Sequence, residues 1–162
     1  MIRRATTDDI PAIMAMAEVV FRQTYRQILS PEQMDFMMDW MYSEESLRQQ
    51  MAGQKFFICD GRGFVSFHPD GTAADSRPLF HLEKLYVMPS EQGTGLGRAL
   101  FETVMAEIRK TCPSGAVCEL NVNRNNPAVS FYEHLGMKRA RSGDFPIGCG
   151  FYMNDYIMSL DV

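Results

Sequence analysis

The feature that most constrains this fold is a strand-like segment, a short turn and three alternate glycines that open an amphipathic helix. Residues 80–88 have strand composition, and Gly93, Gly95 and Gly97 follow before the apolar helix positions begin. A helical glycine costs about 1 kcal/mol relative to alanine, so three together indicate a main chain that closely approaches a ligand. Main-chain N–H groups at a helix N-terminus bind phosphate groups. The segment therefore predicts a strand–loop–helix unit that binds a phosphate-containing ligand, with Arg98 adding positive charge.

The spacing of these glycines separates several kinds of phosphate site. The G-x-x-x-x-G-K-[ST] loop of many nucleotide-hydrolysing proteins is absent. The dinucleotide pattern G-x-G-x-x-G would need glycine at position 98, where the chain has Arg98. A tight glycine-rich turn without a ligand is the remaining alternative to a ligand-binding loop.

Hydrophobic periodicity and turn residues predict the other elements. Ser30 and Pro31 are typical of a helix start, and Asp60-Gly61 is typical of a hairpin turn. We predict strands at 2–5, 56–59, 64–67, 80–88, 116–122, 137–142 and 151–160, helices at 10–28, 31–41, 96–108 and 127–135, a short helix at 43–51, and a loop at 69–78. The summary order β-α-α-β-β-β-α-β-α-β-β predicts an α/β fold of the α+β type. It has a twisted, mixed central sheet and helices on both faces.

Composition limits the class of protein. The 162 residues carry 16 basic and 20 acidic side chains, and 46% are hydrophobic. These values predict a single domain over residues 1–162, with neither a basic nucleic-acid-binding face nor a segment of about 18 apolar residues that could span a membrane. Four cysteines and three histidines show no metal-ligand spacing, so we expect free, buried thiols in a reducing cytoplasm and no metal site.

Two segments carry a family resemblance. Residues 92–97 resemble the Q/R-x-x-G-x-G/A acetyl-CoA motif of the GNAT N-acetyltransferase superfamily, and residues 125–137 are similar to its N-x-x-A-x-x-F-Y-E-x-L-G-F pattern. Residues 154–158 resemble the last strand of these enzymes. The likeness extends over roughly the whole chain and is strongest over 80–137, while the N-terminal part resembles the branch that includes spermidine/spermine acetyltransferases.

The resemblance implies a site for acetyl-CoA. Its diphosphate would lie on the glycine loop, at Gln92, Gly93, Thr94, Gly95, Leu96, Gly97 and Arg98. Its pantetheine arm would pair as an added strand with Leu85, Tyr86 and Val87, where a main-chain amide would stabilise the oxyanion. Asn125 matches the asparagine that contacts the cofactor. Asn126 is the alternative if the register shifts by one, and either residue could instead cap the next helix.

The resemblance also implies the groups that move protons. Tyr132 matches the tyrosine near the thioester sulfur, where a phenol could protonate the leaving thiolate; the alternative is an aromatic that only packs the core. Strand alternation places His81, Glu83, Leu85 and Val87 on one face. Many relatives carry glutamate where this chain has His81. We expect Glu83, or else His81, to accept the amine proton through water; the alternative is that both are solvated surface groups.

The implied function is transfer of acetyl from acetyl-CoA to a primary amine, by direct attack in a ternary complex and without a metal. The acceptor could be a small amine, a polyamine or a protein amine, and dimers are common in the family. Two other functions remain open, a non-catalytic acetyl-CoA sensor and a protein that binds ATP or NAD. The stripe Met34, Met37, Met38 and Met41 predicts core packing, with a substrate lid or a dimer contact as alternatives.

Overall fold

A seven-stranded sheet organises the computed structural model, which describes all 162 residues. Its strands are β1 (Ile2–Arg4), β2 (Lys55–Cys59), β3 (Gly63–Thr72), β4 (Pro78–Val87), β5 (Val117–Asn123), β6 (Lys138–Gly148) and β7 (Phe151–Asp161). The helices are α1 (Ile10–Tyr25), α2 (Pro31–Tyr42), α3 (Glu44–Gly53), α4 (Leu96–Thr111) and α5 (Ala128–His134). The strand order is β1-β2-β3-β4-β5-β7-β6, and only β4 and β5 pair in parallel. This confirms the predicted mixed sheet.

Helices cover both faces of the sheet, as predicted. Neighbouring residues of β3 show this, because Phe64 packs into the core formed with α1, α2 and α3, whereas Val65 packs into the core formed with α4 and α5. Successive strand residues point to opposite faces, so a strand buried on both sides is apolar at consecutive positions. The chain therefore has two cores separated by one sheet.

The first face carries three helices, one more than the summary order predicted. The Ser30 hydroxyl accepts a hydrogen bond from the Gln33 amide at the start of α2 (3.1 Å). Ser43 ends α2 and also caps α3, since its hydroxyl accepts from the Ser46 amide (3.2 Å). Because one serine serves both helices, α3 follows α2 without a loop. The short helix predicted at 43–51 is therefore a separate element of the fold.

The methionine stripe of α2 packs in the core. Met34 and Met37 are buried, and Met38 and Met41 pack against the same cluster at its edge. The structure thus agrees with the core packing predicted for these methionines.

Two strands extend beyond their predicted ends because turn-forming residues are accommodated within the sheet. β3 continues through Pro69, which pairs with Phe80, so the first part of the predicted loop 69–78 is wrong. β6 likewise continues through Pro146, which pairs with Tyr152 on the last hairpin. Register shifts accompany both prolines, and β6 is an edge strand, the position where a sheet tolerates proline.

The cysteines are all free, as expected, but they are not all buried. Cys59 and Cys118 are buried, whereas Cys149 is exposed at the turn between β6 and β7.

No helix is long and apolar enough to cross a bilayer.

Lys84 on β4 is a buried cation without a carboxylate partner. It is 5% exposed, and its Nζ lies 5.7 Å from the ring centroids of both Tyr42 and Phe56. Burial lowers the pKa of Lys84 from 10.5 to about 8. That shift corresponds to about 3 kcal/mol of destabilisation at neutral pH. Attraction of the ammonium to the two rings offsets about 2 kcal/mol of it.

Replacing Lys84 by methionine is therefore expected to raise the free energy of unfolding by about 1 kcal/mol at pH 7. Between about pH 8 and pH 10.5 the unfolded chain binds a proton at Lys84 that the folded chain lacks, so wild-type stability rises with pH relative to the variant. Urea unfolding at pH 7 and pH 10 measures both effects, with the exposed Lys110→Met as control. A Lys84→Met variant less stable than wild type at pH 7 would contradict this account.

Candidate active site

The sheet opens between β4 and β5. Only Leu79, Phe80 and His81 of β4 pair with β5, although β4 continues to Val87 and β5 to Asn123. The other edge of β4 remains paired with β3 as far as Val87. One edge of β4 therefore faces an open gap near its carboxyl end.

The gap presents main-chain groups of alternate β4 residues. The Met88 amide donates to the Arg62 carbonyl on the β3 side (2.8 Å). Main-chain groups alternate along a strand, so those of Tyr86 also face β3, whereas those of Leu85 and Val87 face the gap. Of the three predicted residues, Leu85 and Val87 can pair with an extended ligand, and Tyr86 contributes its side chain to the opposite face.

The glycine loop presents a group of free amide donors. Gly93 and Gly95 have φ of 81° and 87°, the left-handed region that glycine adopts readily. Gly95 occupies the N-cap of α4, where no side chain caps the helix. The amides of Gly93, Gly95, Leu96, Gly97 and Arg98 have no main-chain acceptor, and no side chain covers the two left-handed glycines. Five free N–H groups at the positive end of a helix can bind a diphosphate.

The other predicted loop residues have different local roles. The Thr94 hydroxyl donates to the Glu91 carbonyl (2.6 Å) and fixes the turn, while the Leu96 side chain is buried in the core. Gln92 and Arg98 are exposed, and Arg98 forms no ion pair. Of these four, only the Gln92 and Arg98 side chains are free to reach a ligand.

Gly97 brings α5 close to the loop. A Cβ at this position would lie 3.1 Å from Cζ of Phe131, so a side chain would push the two helices apart. The close approach holds α5, which also carries Tyr132, against the start of α4. Gly97 therefore positions a second element of the site as well as offering an amide.

Tyr132 is a buried phenol with an unengaged hydroxyl. It is 7% exposed, and its hydroxyl makes no hydrogen bond within the protein. Burial raises the pKa of Tyr132 well above 10, and the nearby Tyr25 and Cys118 add to this rise. The residue is consequently a neutral proton donor over the physiological pH range.

The two asparagines before α5 differ in their engagement. Asn126 caps α5, because its Oδ1 accepts from the Ala128 amide (2.9 Å), and its Nδ2 donates to the Tyr25 hydroxyl (3.3 Å). Asn125 is exposed, and its side chain has no partner within the protein. The helix-cap alternative thus applies to Asn126, and Asn125 is free to contact a ligand.

A β-bulge in β4 changes the faces of the predicted proton acceptors. Ser66 pairs with Lys84 whereas Phe67 pairs with Leu82, so Glu83 is an extra residue in the strand. Leu82, Leu85 and Val87 all contact the α4 core. The prediction that His81 and Glu83 share a face with Leu85 and Val87 is therefore wrong, since simple alternation fails at the bulge.

His81 and Glu83 instead form a polar cluster with His68 on the other face. His68 Nε2 lies 2.8 Å from Glu83 Oε1, and the rings of His68 and His81 are 5.8 Å apart. His81 Nδ1 lies 4.0 Å from Asp70 Oδ2. His68 was not predicted as a site residue. Only its pairing opposite His81 between β3 and β4 identifies it, and that register is not evident in the sequence.

The cluster contains histidines with opposite pKa shifts. The hydrogen bond with Glu83 raises the pKa of His68 above 6.5, whereas burial lowers the pKa of His81 below that value. Burial tends to raise the pKa of Glu83, but the hydrogen bond with His68 and the charge of His81 outweigh it, and the pKa is lowered. At neutral pH His81 is thus an unprotonated imidazole, and Glu83 is a carboxylate engaged by His68.

No group of three or more His, Cys, Asp and Glu side chains comes together that could hold a metal ion.

The chain matches a described protein family. A family model described as an acetyltransferase (GNAT) domain matches residues 25–147. An uncharacterized N-acetyltransferase from the pepI 3′ region of Lactobacillus delbrueckii subsp. lactis is 29% identical over 150 residues, which cover 86% of this chain and 85% of the relative.

Solved structures share the fold over nearly the full length of both chains. PaiA N-acetyltransferase from Thermoplasma acidophilum, in complex with coenzyme A, aligns with a TM-score of 0.77 and 22% identity over 100% of this chain and 98% of its own. A GCN5-related N-acetyltransferase from Rhodopseudomonas palustris aligns with a TM-score of 0.80 and 18% identity over 100% of this chain and 95% of its own. YncA from Salmonella typhimurium, solved with acetyl-CoA, aligns with a TM-score of 0.64 and 20% identity over 99% of this chain and 92% of its own.

Proposed function

The chain belongs to the GNAT acetyltransferase family, and we propose that it transfers an acetyl group from acetyl-CoA to a primary amine by direct attack within a ternary complex. The observation that carries the proposal is the set of five free amides at the start of α4, next to the unpaired edge of β4. A diphosphate and an extended, amide-containing arm would satisfy both sets of groups in one ligand. Coenzyme A has these two parts.

Acetyl-CoA would bind along the loop and the gap. Its diphosphate would accept hydrogen bonds from the amides between Gly93 and Arg98, and its pantetheine arm would pair with Leu85 and Val87. Asn125 offers a free side-chain amide beside this path. The solved structures of the same fold bound to coenzyme A and acetyl-CoA support acetyl-CoA as the ligand.

The reaction needs positioning and two proton transfers. The amine nitrogen attacks the thioester carbonyl, a C–N bond forms, and the C–S bond breaks to release coenzyme A thiolate. A gap-facing amide of Leu85 or Val87 would stabilise the oxyanion, and the Tyr132 hydroxyl would protonate the thiolate. Tyr132 is a buried residue whose hydroxyl has no hydrogen-bond partner within the protein, which supports this role.

A covalent acyl-cysteine step is disfavoured at the cysteine near Tyr132. Cys118 is fully buried, and burial raises its pKa to about 12. The thiolate, not the thiol, is the nucleophile, so Cys118 is unreactive at neutral pH. This supports direct attack by the amine.

His81 is the better candidate for the proton acceptor. Its imidazole is neutral at pH 7, while the Glu83 carboxylate already accepts from His68. The ammonium form of the acceptor, with a pKa near 10, would lose its proton to His81 through water. We therefore prefer His81 to Glu83 as the proton acceptor, the reverse of the order expected from the sequence.

The pH dependence of kcat/KM distinguishes them. His81→Gln is expected to lower kcat/KM by about 30-fold, below the usual general-base range because water relays the proton, and to remove the acid limb below pH 6.5. The Glu83 charge raises the pKa of His81, so Glu83→Gln should retain activity and move this limb to lower pH. Loss of the limb in Glu83→Gln, with the limb retained in His81→Gln, would assign the base to Glu83.

The function itself is tested by amine-dependent thiol release from acetyl-CoA, across small amines, polyamines, amino acids and peptides with free amines. We expect stoichiometric free thiol and N-acetylated amine. Saturating acetyl-CoA at 100 times its Kd should also stabilise the protein by about 2.7 kcal/mol. Stabilisation by acetyl-CoA without turnover of any amine would favour a sensor, and stabilisation by ATP or NAD alone would favour a nucleotide-binding protein.

A further inference from the structure

A side-chain hydrogen bond joins α1, on the first face of the sheet, to the segment before α5, on the other face. Asn126 Nδ2 donates to the hydroxyl of Tyr25 (3.3 Å), although the two residues are 101 positions apart in the chain. Tyr25 ends α1 and packs with the first core, whereas α5 packs with the second. The bond therefore passes from one face to the other at the carboxyl end of β5, one of the two strands that border the gap.

The orientation of Asn126 is fixed by its other hydrogen bonds. Its Oδ1 accepts from the Ala128 amide (2.9 Å), so its Nδ2 is the group that faces Tyr25. Its main-chain amide donates to the Asn123 carbonyl (2.9 Å), and its own carbonyl accepts from the Val129 amide (3.1 Å). All four polar groups of Asn126 are thus engaged, and Tyr25 supplies the acceptor for one of them.

Tyr25 is itself held in place on the first face. Its ring packs on that of Phe21, with centroids 4.7 Å apart, and Phe21 is buried in the first core. Burial raises the pKa of Tyr25 to about 12, so its hydroxyl is neutral at physiological pH. Tyr25 therefore presents a fixed oxygen to Asn126.

The helix that Asn126 begins is short and carries the proposed proton donor. α5 has seven residues, and helices below about 12 residues are marginal without outside contacts. The bonds of Asn126 hold the amides of Ala128 and Val129 in the first turn, and Tyr132 follows one turn later. A shift at the start of α5 would therefore move the Tyr132 hydroxyl.

We infer that Tyr25 is a positioning residue for Tyr132. Through Asn126 it fixes the start of α5 and so holds the Tyr132 hydroxyl where it can protonate the leaving thiolate. A displacement of about 1 Å can cost about 100-fold in rate, so this support matters for transfer. The inference rests on the proposed function for the role of Tyr132, whereas the fixing of α5 can be measured without turnover.

Tyr25→Phe removes the acceptor for Asn126 and leaves the ring on Phe21. We expect kcat to fall about tenfold and the KM for acetyl-CoA to stay within about twofold of wild type. The start of α5 loses a hydrogen bond, while the loop amides and the edge of β4 are unchanged. Steady-state thiol release measures both constants, and an unchanged kcat would overturn the inference.

The same substitution in a Tyr132→Phe background separates positioning from a general structural effect. Once the Tyr132 hydroxyl is absent, nothing remains for Tyr25 to position, so Tyr25→Phe should lower kcat by no more than about twofold further. A structural role would not depend on that hydroxyl. A full tenfold loss in both backgrounds would overturn the inference.

Asn126→Ser tests the other partner of the bond, and it replaces Tyr25→Phe if that variant fails to fold. Serine caps a helix about as well as asparagine but is too short to reach Tyr25. It should lower kcat about as much as Tyr25→Phe, and the combined variant should be no slower than either. A normal kcat in Asn126→Ser, or additive losses in the combined variant, would overturn the inference.

Tyr152→Phe is the matched control for loss of a hydroxyl. Tyr152 is half exposed and lines the same small pocket as Tyr25. This variant should keep wild-type kcat, because no hydrogen bond to α5 is lost. A loss as large as that of Tyr25→Phe would show that the bond to Asn126 is not the cause, and it too would overturn the inference.

Amide hydrogen exchange covers the case in which no amine is acetylated. With saturating coenzyme A, the amides of α5 should exchange at least about threefold faster in Tyr25→Phe than in wild type, and those of α4 equally fast. If this holds but wild type acetylates no amine, the proposed function fails and the fixing of α5 by Tyr25 stands. Equal exchange of α5 in the two proteins would refute the support from Tyr25.

Discussion

Replacing Tyr132 by phenylalanine is expected to lower kcat by about 1000-fold while the KM for acetyl-CoA changes by no more than about threefold. The substitution removes only a hydroxyl that has no hydrogen-bond partner within the protein. It leaves the packing against Phe131 intact, with ring centroids 5.3 Å apart. The loss would therefore come from the leaving thiolate, which would depart without a proton donor. Steady-state thiol release with acetyl-CoA and a saturating amine measures both constants.

Tyr42→Phe is the matched control for this variant. Tyr42 is as buried as Tyr132, but it lies in the other core, at the end of α2 and beside Tyr86. It should keep wild-type kcat, and loss of its hydroxyl beside Tyr86 should cost no more than about 1 kcal/mol of stability. A Tyr132→Phe enzyme with unchanged kcat would remove Tyr132 from the chemistry and leave it the packing role.

Replacing Gly95 by valine is expected to raise the Kd for acetyl-CoA by at least about 100-fold, or about 2.7 kcal/mol. A φ of 87° is strained for a β-branched residue. Relief of that strain would turn the neighbouring amides away from a common point. A Cβ at Gly95 also meets no protein atom within 4 Å, so the side chain would occupy the space above the loop that the diphosphate needs. Calorimetric titration with coenzyme A measures the loss.

Gly71→Val controls for backbone strain. Gly71 has a φ of 79° and equally open surroundings, but it lies near the end of β3, away from the glycine loop. Both variants should lose similar stability, and only Gly95→Val should lose affinity. Equal affinity for coenzyme A in the two variants would show that the loop amides do not bind the diphosphate.

The strand–loop–helix unit was predictable because its signals are local. Three glycines, an amphipathic helix after them and a strand before them lie within about thirty residues, and the glycines fit only a ligand-binding loop or a tight turn. The helices on both faces of the sheet followed from the order of the predicted elements, a run that contains a hairpin and then two β-α units. Local patterns thus predicted the fold and the cofactor loop.

The polar half of the site was less predictable because it depends on pairing between distant segments. The extra residue Glu83 shifts the face of β4 only once β3 pairs beside it, and the same pairing brings His68 to Glu83. No periodicity within one segment specifies these contacts, so the sequence predicted the residue types near β4 but not their arrangement.

A crystal structure with coenzyme A tests the central claim most directly. The account predicts a diphosphate within hydrogen-bond distance of the amides between Gly93 and Arg98. It also predicts a pantetheine arm paired with Leu85 and Val87, and a thiol beside the Tyr132 hydroxyl. Coenzyme A bound elsewhere, or a gap between β4 and β5 that remains empty with saturating coenzyme A, would contradict it.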